Sequence, residues 1–370
     1  HGSRPVSTFS IPISRQLKLL TKLSSYGLSG DLFGWINSFL SNRTQAVRID
    51  GFISKILNIL SGVPQGSVLG ATLFILYIND NIDCFGDLSV SSKLYADDLK
   101  LYCSYATVDS SCDLSEALIR LSAWADRWQL ETNSKKCNVL RIFNHRCLPV
   151  HNLHYDLNGQ NLDVLTSTKD LGVVLDNNLK FDKHISLVVH RAHQRANLIL
   201  KCFQSRDRSI LMRAFVTYVR PLLEYATPVW TPHHVYLVFK LEGVQRKFTK
   251  RLSGLNNLSY KDRLLVLGVD TLERRRLFYD LSLFYKVVHG FVDFSLNFDL
   301  RGTTSSRNTR GHDLKLRKEL CKSDVAKFFF SNRVCDVWNS LNSHFVNSPS
   351  VFVFKTRVRS ADLARFLVIN

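Results

Sequence analysis

Two short apolar, β-prone runs, residues 89–94 and 99–102, flank the tetrapeptide Tyr95-Ala96-Asp97-Asp98, and no other feature constrains the chain as strongly. Runs of this kind around a turn-forming pair read as a β-hairpin with two adjacent carboxylates at its tip. Side chains alternate faces along a strand, so neighbouring Asp residues cannot both enter a core. At least one must face solvent, a partner or a metal ion. Asp also suits turns for local hydrogen-bonding reasons, so the pair by itself is weak evidence for ion binding.

Some thirty residues upstream stands Ser61-Gly62-Val63-Pro64-Gln65-Gly66-Ser67-Val68-Leu69-Gly70, followed by the apolar run 72–78. A turn-rich stretch that opens an apolar helix and leads to a carboxylate hairpin resembles motifs B and C of a reverse transcriptase. Within that family the chain is most similar to the polymerases of non-LTR retrotransposons of the jockey, CR1 and L2 kind. The resemblance runs from Leu17 onward, through Leu19-Leu20-Thr21-Lys22-Leu23, Asn133-Ser134-Lys135-Lys136-Cys137, Lys169-Asp170-Leu171-Gly172-Val173, Pro221-Leu222-Leu223-Glu224-Tyr225 and Val337-Trp338-Asn339-Ser340-Leu341. Ala71 departs from the family, which usually carries Pro there, and touches only the first helical turn.

Length and charge narrow the function classes. A chain of 370 residues can bury a sizeable core and suggests two or three domains. The longest apolar run, residues 68–78, is too short to span a bilayer, and residues 1–13 lack a sustained apolar region of the secretory kind. Net charge is +18, and it is uneven: residues 1–180 hold 17 Lys and Arg against 16 Asp and Glu, residues 181–370 hold 32 against 15. Such asymmetry argues for a polyanionic partner, with nucleic acid ahead of a membrane surface. The eight cysteines form no C-x-x-C pair and no zinc spacing, so free thiols in a reducing compartment are expected.

Along the chain, helical periodicity places Leu17, Leu20 and Leu23 on one face, then Leu32, Trp35, Ile36, Phe39 and Leu40 on a second helix. Asp50-Gly51 marks a hairpin between residues 44–49 and 53–59, and Asn158-Gly159 marks another. Asp113 with Glu116 reads as a capping box opening a helix through Trp128. From Phe181 the pattern is helical only, with stripes at Ile185, Val188, Ala192, Ile199 and Phe203, at Ile210, Leu211, Ala214, Val219 and Leu222, and at Val235, Val238, Leu241, Gln245, Phe248 and Leu252. A further helix near Thr271 carries Arg274, Arg275 and Arg276, and Ser/Thr/Arg-rich residues 301–311 read as a loop. The expected fold class is α+β: a polymerase palm, an antiparallel sheet with packed helices, followed by an all-α thumb-like region. The domains read as 1–178 palm, 179–300 basic helical thumb-like region and 301–370 basic carboxy-terminal region.

The resemblance also implies roles. Extending a nucleic-acid chain displaces pyrophosphate, and charge builds on the attacking and leaving oxygens. Two Mg²⁺ ions held by carboxylates stabilise that charge. Asp97 would bridge both ions and Asp98 would be an outer ligand, while Tyr95 and Ala96 would line the primer end. Gln65 would lie under the nascent base pair, with Gly66 allowing close backbone approach. Lys136 would protonate the departing pyrophosphate; a solvated lysine is the plainer reading. Leu171, Gly172 and Val173 would form the primer grip. Lys240, Arg246, Lys247, Lys250 and Arg251 would contact phosphate without reading sequence. Implied partners are an RNA template, a DNA primer or target and deoxynucleoside triphosphates, with no membrane, in an intracellular setting, nucleus or cytoplasm.

One departure bears on activity. The family's motif A places a third metal-binding Asp just before the helix of residues 19–23, where this sequence offers Pro12 or, with two extra residues, Ser10. Neither side chain can hold Mg²⁺, and the fingers region that precedes motif A in the family does not match here. The expectation is therefore an RNA-directed DNA polymerase incomplete or inactive in this chain. The alternatives are a non-catalytic nucleic-acid-binding remnant and a protein-interaction module with a basic face.

Overall fold

In a computed structural model the chain is described over residues 13–59, 62–104, 109–142, 154–293, 312–318 and 320–369. It divides into two compact units, one of residues 1–139 and 148–165, the other of residues 140–147 and 166–370.

The first unit mixes helices with short strand pairs. Helices Ile13–Ser25, Gly30–Leu40 and Val68–Ile78 meet in a core of Leu19, Leu20, Leu23, Ile36, Leu40, Leu73, Tyr77 and Ile78. The buried stripe is rotated from the expected one: Leu17, Leu32 and Trp35 are exposed. Periodicity fixes that a helix has an apolar face, but extra apolar residues beside the stripe leave its centre open by a residue. Lys22 is buried at this junction, its ammonium 3.8 Å from the Trp128 ring centroid and bonded to the Tyr77 carbonyl and the Asp80 carboxylate. Burial pushes its pKa down, and Asp80 opposes that shift.

Helix Val68–Ile78 runs on as a 3₁₀ stretch, Asn79–Phe85. Together they make one 18-residue segment long and apolar enough to cross a membrane by length and composition, more than the eleven-residue run suggests. Leu73, Tyr77, Ile78 and Phe85 on it are buried in the protein's own cores, and 33% of the segment is buried.

A second core joins Phe85, Val90, Leu118, Leu121, Tyr155 and Leu157, with Leu99 and Leu101 packed on it. Helix Asp109–Trp128 begins four residues before the expected cap. Asp113 does not cap it; its carboxylate accepts the Ser89 amide at 3.1 Å.

Strands pair in twos. Among the described residues they form six two-stranded sheets, not the single largely antiparallel sheet expected from the sequence. Turn signals mark hairpins well and say nothing of which hairpin edges join. Asp50 and Gly51, at φ 48° and 88°, turn strand Arg48–Ile49 onto Phe52–Ile53, and Asn158 and Gly159, at 56° and 74°, do the same for Asp156–Leu157 and Gln160–Asn161.

The second unit starts with strands Ser167–Asp170 and Val173–Asp176 and is otherwise helical. Its larger core is built on Ile185, Ala192, Phe215, Trp230, Leu241 and Phe248, and another on Leu281, Phe284, Trp338 and Phe354. Helix Leu272–Val288 supplies Leu272 to the first core and Leu281 and Phe284 to the second. Each fully buried Leu or Phe of this kind contributes about 2 kcal/mol. Some buried polar side chains find partners: Glu242 accepts the Leu272 amide at 3.1 Å and the Tyr260 hydroxyl, and Gln245 donates to the Asp270 carbonyl at 3.0 Å.

Candidate functional site

The carboxylate hairpin forms as the alternation predicts. Strands Ser91–Tyr95 and Asp98–Tyr102 pair with Tyr95 opposite Asp98, which leaves Ala96 and Asp97 as the two-residue turn. Ala96 sits at φ 50°, a left-handed conformation that costs a non-glycine residue roughly 1 kcal/mol. Such strain persists where the surroundings dictate it. Here Leu94 packs on the core that includes Leu73 and Tyr77, and Leu99 and Leu101 on the core that includes Phe85 and Leu118. Anchored on two cores, the hairpin holds its tip outward: Tyr95, Ala96, Asp97 and Asp98 are all exposed.

Hard carboxylate oxygens suit Mg²⁺. Asp97 and Asp98 offer them at an open turn. Among the described residues, however, no three His, Cys, Asp or Glu side chains gather around a point that an ion could occupy. The described residues thus place two carboxylates at the turn and gather no further donor beside them. Ser10 and Pro12, the positions aligned with motif A, lie outside the described residues.

Gln65 and Gly66 occupy a turn closed by the Ser67 amide on the Pro64 carbonyl at 3.3 Å, with Gly66 at φ 79°. That φ is what the third position of a type II turn requires. The Ser67 hydroxyl donates to Pro64 and accepts the Gly70 amide at 3.1 Å, which caps helix Val68–Ile78. A Cβ at Gly70 would come within 2.9 Å of both the Pro64 carbonyl oxygen and the Ser67 hydroxyl. So Gly70 is fixed by packing, and Gln65 is left exposed on a rigid turn. Strand Ser91–Tyr95 and helix Val68–Ile78 share one core through Leu94 and Leu73, which brings the two motifs onto one support. Lys136 ends the 3₁₀ turn Ser134–Lys136 and is exposed, with no hydrogen bond to Asp97 or Asp98.

In the second unit, Leu171 and Gly172 form the turn between Asp170 and Val173, at φ 41° and 87°. Val173 is buried, whereas Leu171 faces out. The Tyr225 hydroxyl donates to the Leu171 carbonyl at 2.9 Å. Asp176 closes the following loop, its carboxylate accepting the amides of Asn178, Lys180 and Phe181.

The five basic residues expected to meet phosphate are all exposed, and they split into two rows on helix Val235–Lys250 and its carboxy-terminal cap. Lys240, Lys247 and Arg251 lie along the side facing helix Asp182–Cys202, Lys240 donating to Ser186 and Arg251 to Asn197, both at 2.7 Å. Arg246 turns the other way, over the Tyr260 ring at 4.8 Å, with Lys250 four residues on. Helix Asp182–Cys202 adds exposed Lys183, Arg191, Arg195 and Lys201, which sequence reading had passed over. The signal was available for two of them: Lys183 and Lys201 lie opposite the Ile185, Ala192 and Ile199 stripe. Arg274 and Arg275 are engaged internally instead, on the Arg359 carbonyl and on Glu224, both at 2.8 Å, and Arg276 is buried.

Comparison with known proteins gives this geometry its context. Residues 9–175 match the family described as reverse transcriptase (RNA-dependent DNA polymerase). The chain is 32% identical over 247 residues to the RNA-directed DNA polymerase from mobile element jockey of Drosophila funebris, covering 64% of this chain and 26% of that protein. It is 28% identical over 237 residues to the probable RNA-directed DNA polymerase from transposon X-element of Drosophila melanogaster, covering 61% and 25%. A third relative, the probable RNA-directed DNA polymerase from transposon BS of Drosophila melanogaster, is 30% identical over 213 residues, covering 54% and 23%. The chain spans about a quarter of the length of the curated relatives it matches.

Proposed function

We propose that this chain, whose residues 9–175 are a reverse transcriptase domain of the non-LTR retrotransposon kind, is a palm-and-thumb portion of an RNA-directed DNA polymerase. The observation that carries the proposal is the exposed turn of Ala96 and Asp97, closed by Tyr95 opposite Asp98 and anchored on two cores. Carboxylates that served only solubility would not need a strained alanine beside them.

In this reading Asp97 and Asp98 are what the chain brings to a divalent ion such as Mg²⁺, the other oxygen ligands coming from outside the described residues. Gln65, presented by the Gly66 turn, lies against the nascent base pair, and Tyr95 and Ala96 border the primer end. Lys136, exposed on its 3₁₀ turn, is free to donate a proton to pyrophosphate. The turn at Leu171, Gly172 and Val173 meets the primer's 3′ end. Lys240, Lys247 and Arg251, with the basic face of helix Asp182–Cys202, track phosphates of the template–primer duplex. Nucleotides, an RNA template and a DNA primer are the partners, and synthesis takes place inside the cell, where DNA targets lie.

The test is primer extension on an RNA template, run on this chain and on the jockey polymerase with its matching segment replaced by this chain from Leu17 onward, so that the motif A Asp and the region before it are restored. Extension by the hybrid protein is expected. A hybrid that folds and binds duplex without extending it would leave a nucleic-acid-binding role without catalysis.

A further inference from the structure

Two stretches that the sequence presents separately, Leu171-Gly172-Val173 and Pro221-Leu222-Leu223-Glu224-Tyr225, meet at one contact. The Tyr225 hydroxyl donates to the Leu171 carbonyl at 2.9 Å, and a Cβ placed on Gly172 would come within 3.1 Å of the Tyr225 ring. The turn so held is unusual. Leu171 and Gly172 both have positive φ, and a bulky leucine adopts that conformation only under constraint.

The backbone of Tyr225 is itself fixed. Its amide donates to the Pro221 carbonyl at 3.0 Å, its carbonyl accepts the indole N–H of fully buried Trp230 at 2.8 Å, and Ala226 after it is left-handed at φ 54°. Glu224 before it accepts from Arg275 and Tyr279. The tyrosine ring is nevertheless 58% exposed, so it fills no core. A rigid corner thus presents an exposed side chain whose hydroxyl reaches one place, the carbonyl of a strained turn that faces outward with Leu171 39% exposed. Core stability does not need that arrangement.

We propose that Tyr225 is a positioning residue: its hydroxyl and ring edge hold the turn at Leu171 and Gly172 in the shape that receives the recessed 3′ end of a primer. This rests on the reading of that turn as the primer contact. Tyr225 makes no contact with the primer itself; it acts through Leu171. A neutral hydrogen bond of this kind is worth roughly two- to tenfold in affinity where the shape it maintains matters.

The experiment uses the 370-residue chain and needs no turnover. Binding is measured to an RNA–DNA hybrid with a recessed DNA 3′ end and to the same hybrid with that end closed by a hairpin loop. A 5-iododeoxyuridine at the primer terminus reports photo-crosslinking to the peptide holding Leu171 to Val173. Tyr225→Phe, which removes only the hydroxyl, is expected to weaken recessed-end binding roughly two- to tenfold and to lower the crosslink in parallel. Closed-hybrid binding and the melting temperature should stay unchanged. A crosslink and affinity identical to the unsubstituted chain would overturn the role of Tyr225 while leaving the primer contact standing. Equal weakening for both hybrids with a lower melting temperature would reduce Tyr225 to a structural residue and overturn the proposal. No crosslink in the unsubstituted chain would remove the primer contact, and the proposal with it.

Discussion

Lys240 donates to the Ser186 hydroxyl at 2.7 Å, and the same 54-residue offset recurs where Arg251 meets Asn197. Helices Asp182–Cys202 and Val235–Lys250 therefore run side by side in one direction. Ser186 and Asn197 are neutral, so both cations keep their charge for an outside partner. Between them on the same row lies Lys247, and exposed Lys183 and Lys201 near the two ends of helix Asp182–Cys202 add to one basic ridge.

That ridge predicts the salt dependence of binding. Each cation that neutralises a duplex phosphate contributes close to one unit to the slope of log affinity against log salt. Replacing Lys240, Lys247 and Arg251 by Ala should reduce the slope by about 2 to 3 and weaken different sequences alike. Titrations between 50 and 200 mM salt, roughly the range where such contacts register, check this; an unchanged slope would place the nucleic acid elsewhere.

His184 predicts a pH effect on stability. Its ring is buried against Trp230, and its Nδ1 accepts the Val174 amide at 3.2 Å. Burial, with the nearby Arg191 charge adding to it, pushes its pKa down to about 4 from the ordinary 6.5. The unfolded chain therefore takes up a proton that the folded chain resists. Stability should be level above pH 6.5 and fall by on the order of 2 kcal/mol as pH drops towards 4. His184→Asn keeps an acceptor for Val174 and should lose this part of the pH dependence, as melting temperatures at pH 7 and 4.5 would show.

Gly70 predicts a steric failure in the turn that carries Gln65. Gly70→Ala sets a methyl 2.9 Å from the Pro64 carbonyl and the Ser67 hydroxyl. Backbone must shift, at a cost of about 1 to 3 kcal/mol. Gly66→Ala meets open space but needs φ 79°, costing about 1 kcal/mol. Denaturant midpoints of the two variants should rank in that order.

Gly172 and Gly159 make a matched pair. Both have φ near 80°, but only Gly172 lies under Tyr225. Gly159→Ala should cost about 1 kcal/mol from backbone strain alone. Gly172→Ala should cost more, and the excess should vanish when Tyr225→Ala accompanies it. A double-mutant cycle by chemical denaturation measures that coupling.

Much of this was legible in the residues. Asp50-Gly51 and Asn158-Gly159 announce their hairpins because only a few residue types tolerate consecutive positive φ. Gln245 was placed within an apolar stripe by spacing alone, and it is fully buried there. Spacing could not tell that Lys22, beside Leu23, turns inward among aromatic rings, because Trp124 and Trp128 approach it from a hundred residues away. For the same reason Tyr225 reads as one residue of a motif until the fold sets it against Leu171. Nor could local pattern join the hairpins, since register within a pair is a local property and edge-to-edge pairing is not.

The most direct test of the account is the Asp97→Asn substitution in the jockey polymerase carrying this chain as its matching segment. The change removes the negative charge from the turn while preserving side-chain size. Primer extension on an RNA template should be lost by at least about 100-fold, with duplex affinity and melting temperature unchanged. Extension at the unsubstituted rate would contradict the assignment of the Tyr95 to Asp98 hairpin as the catalytic carboxylate site.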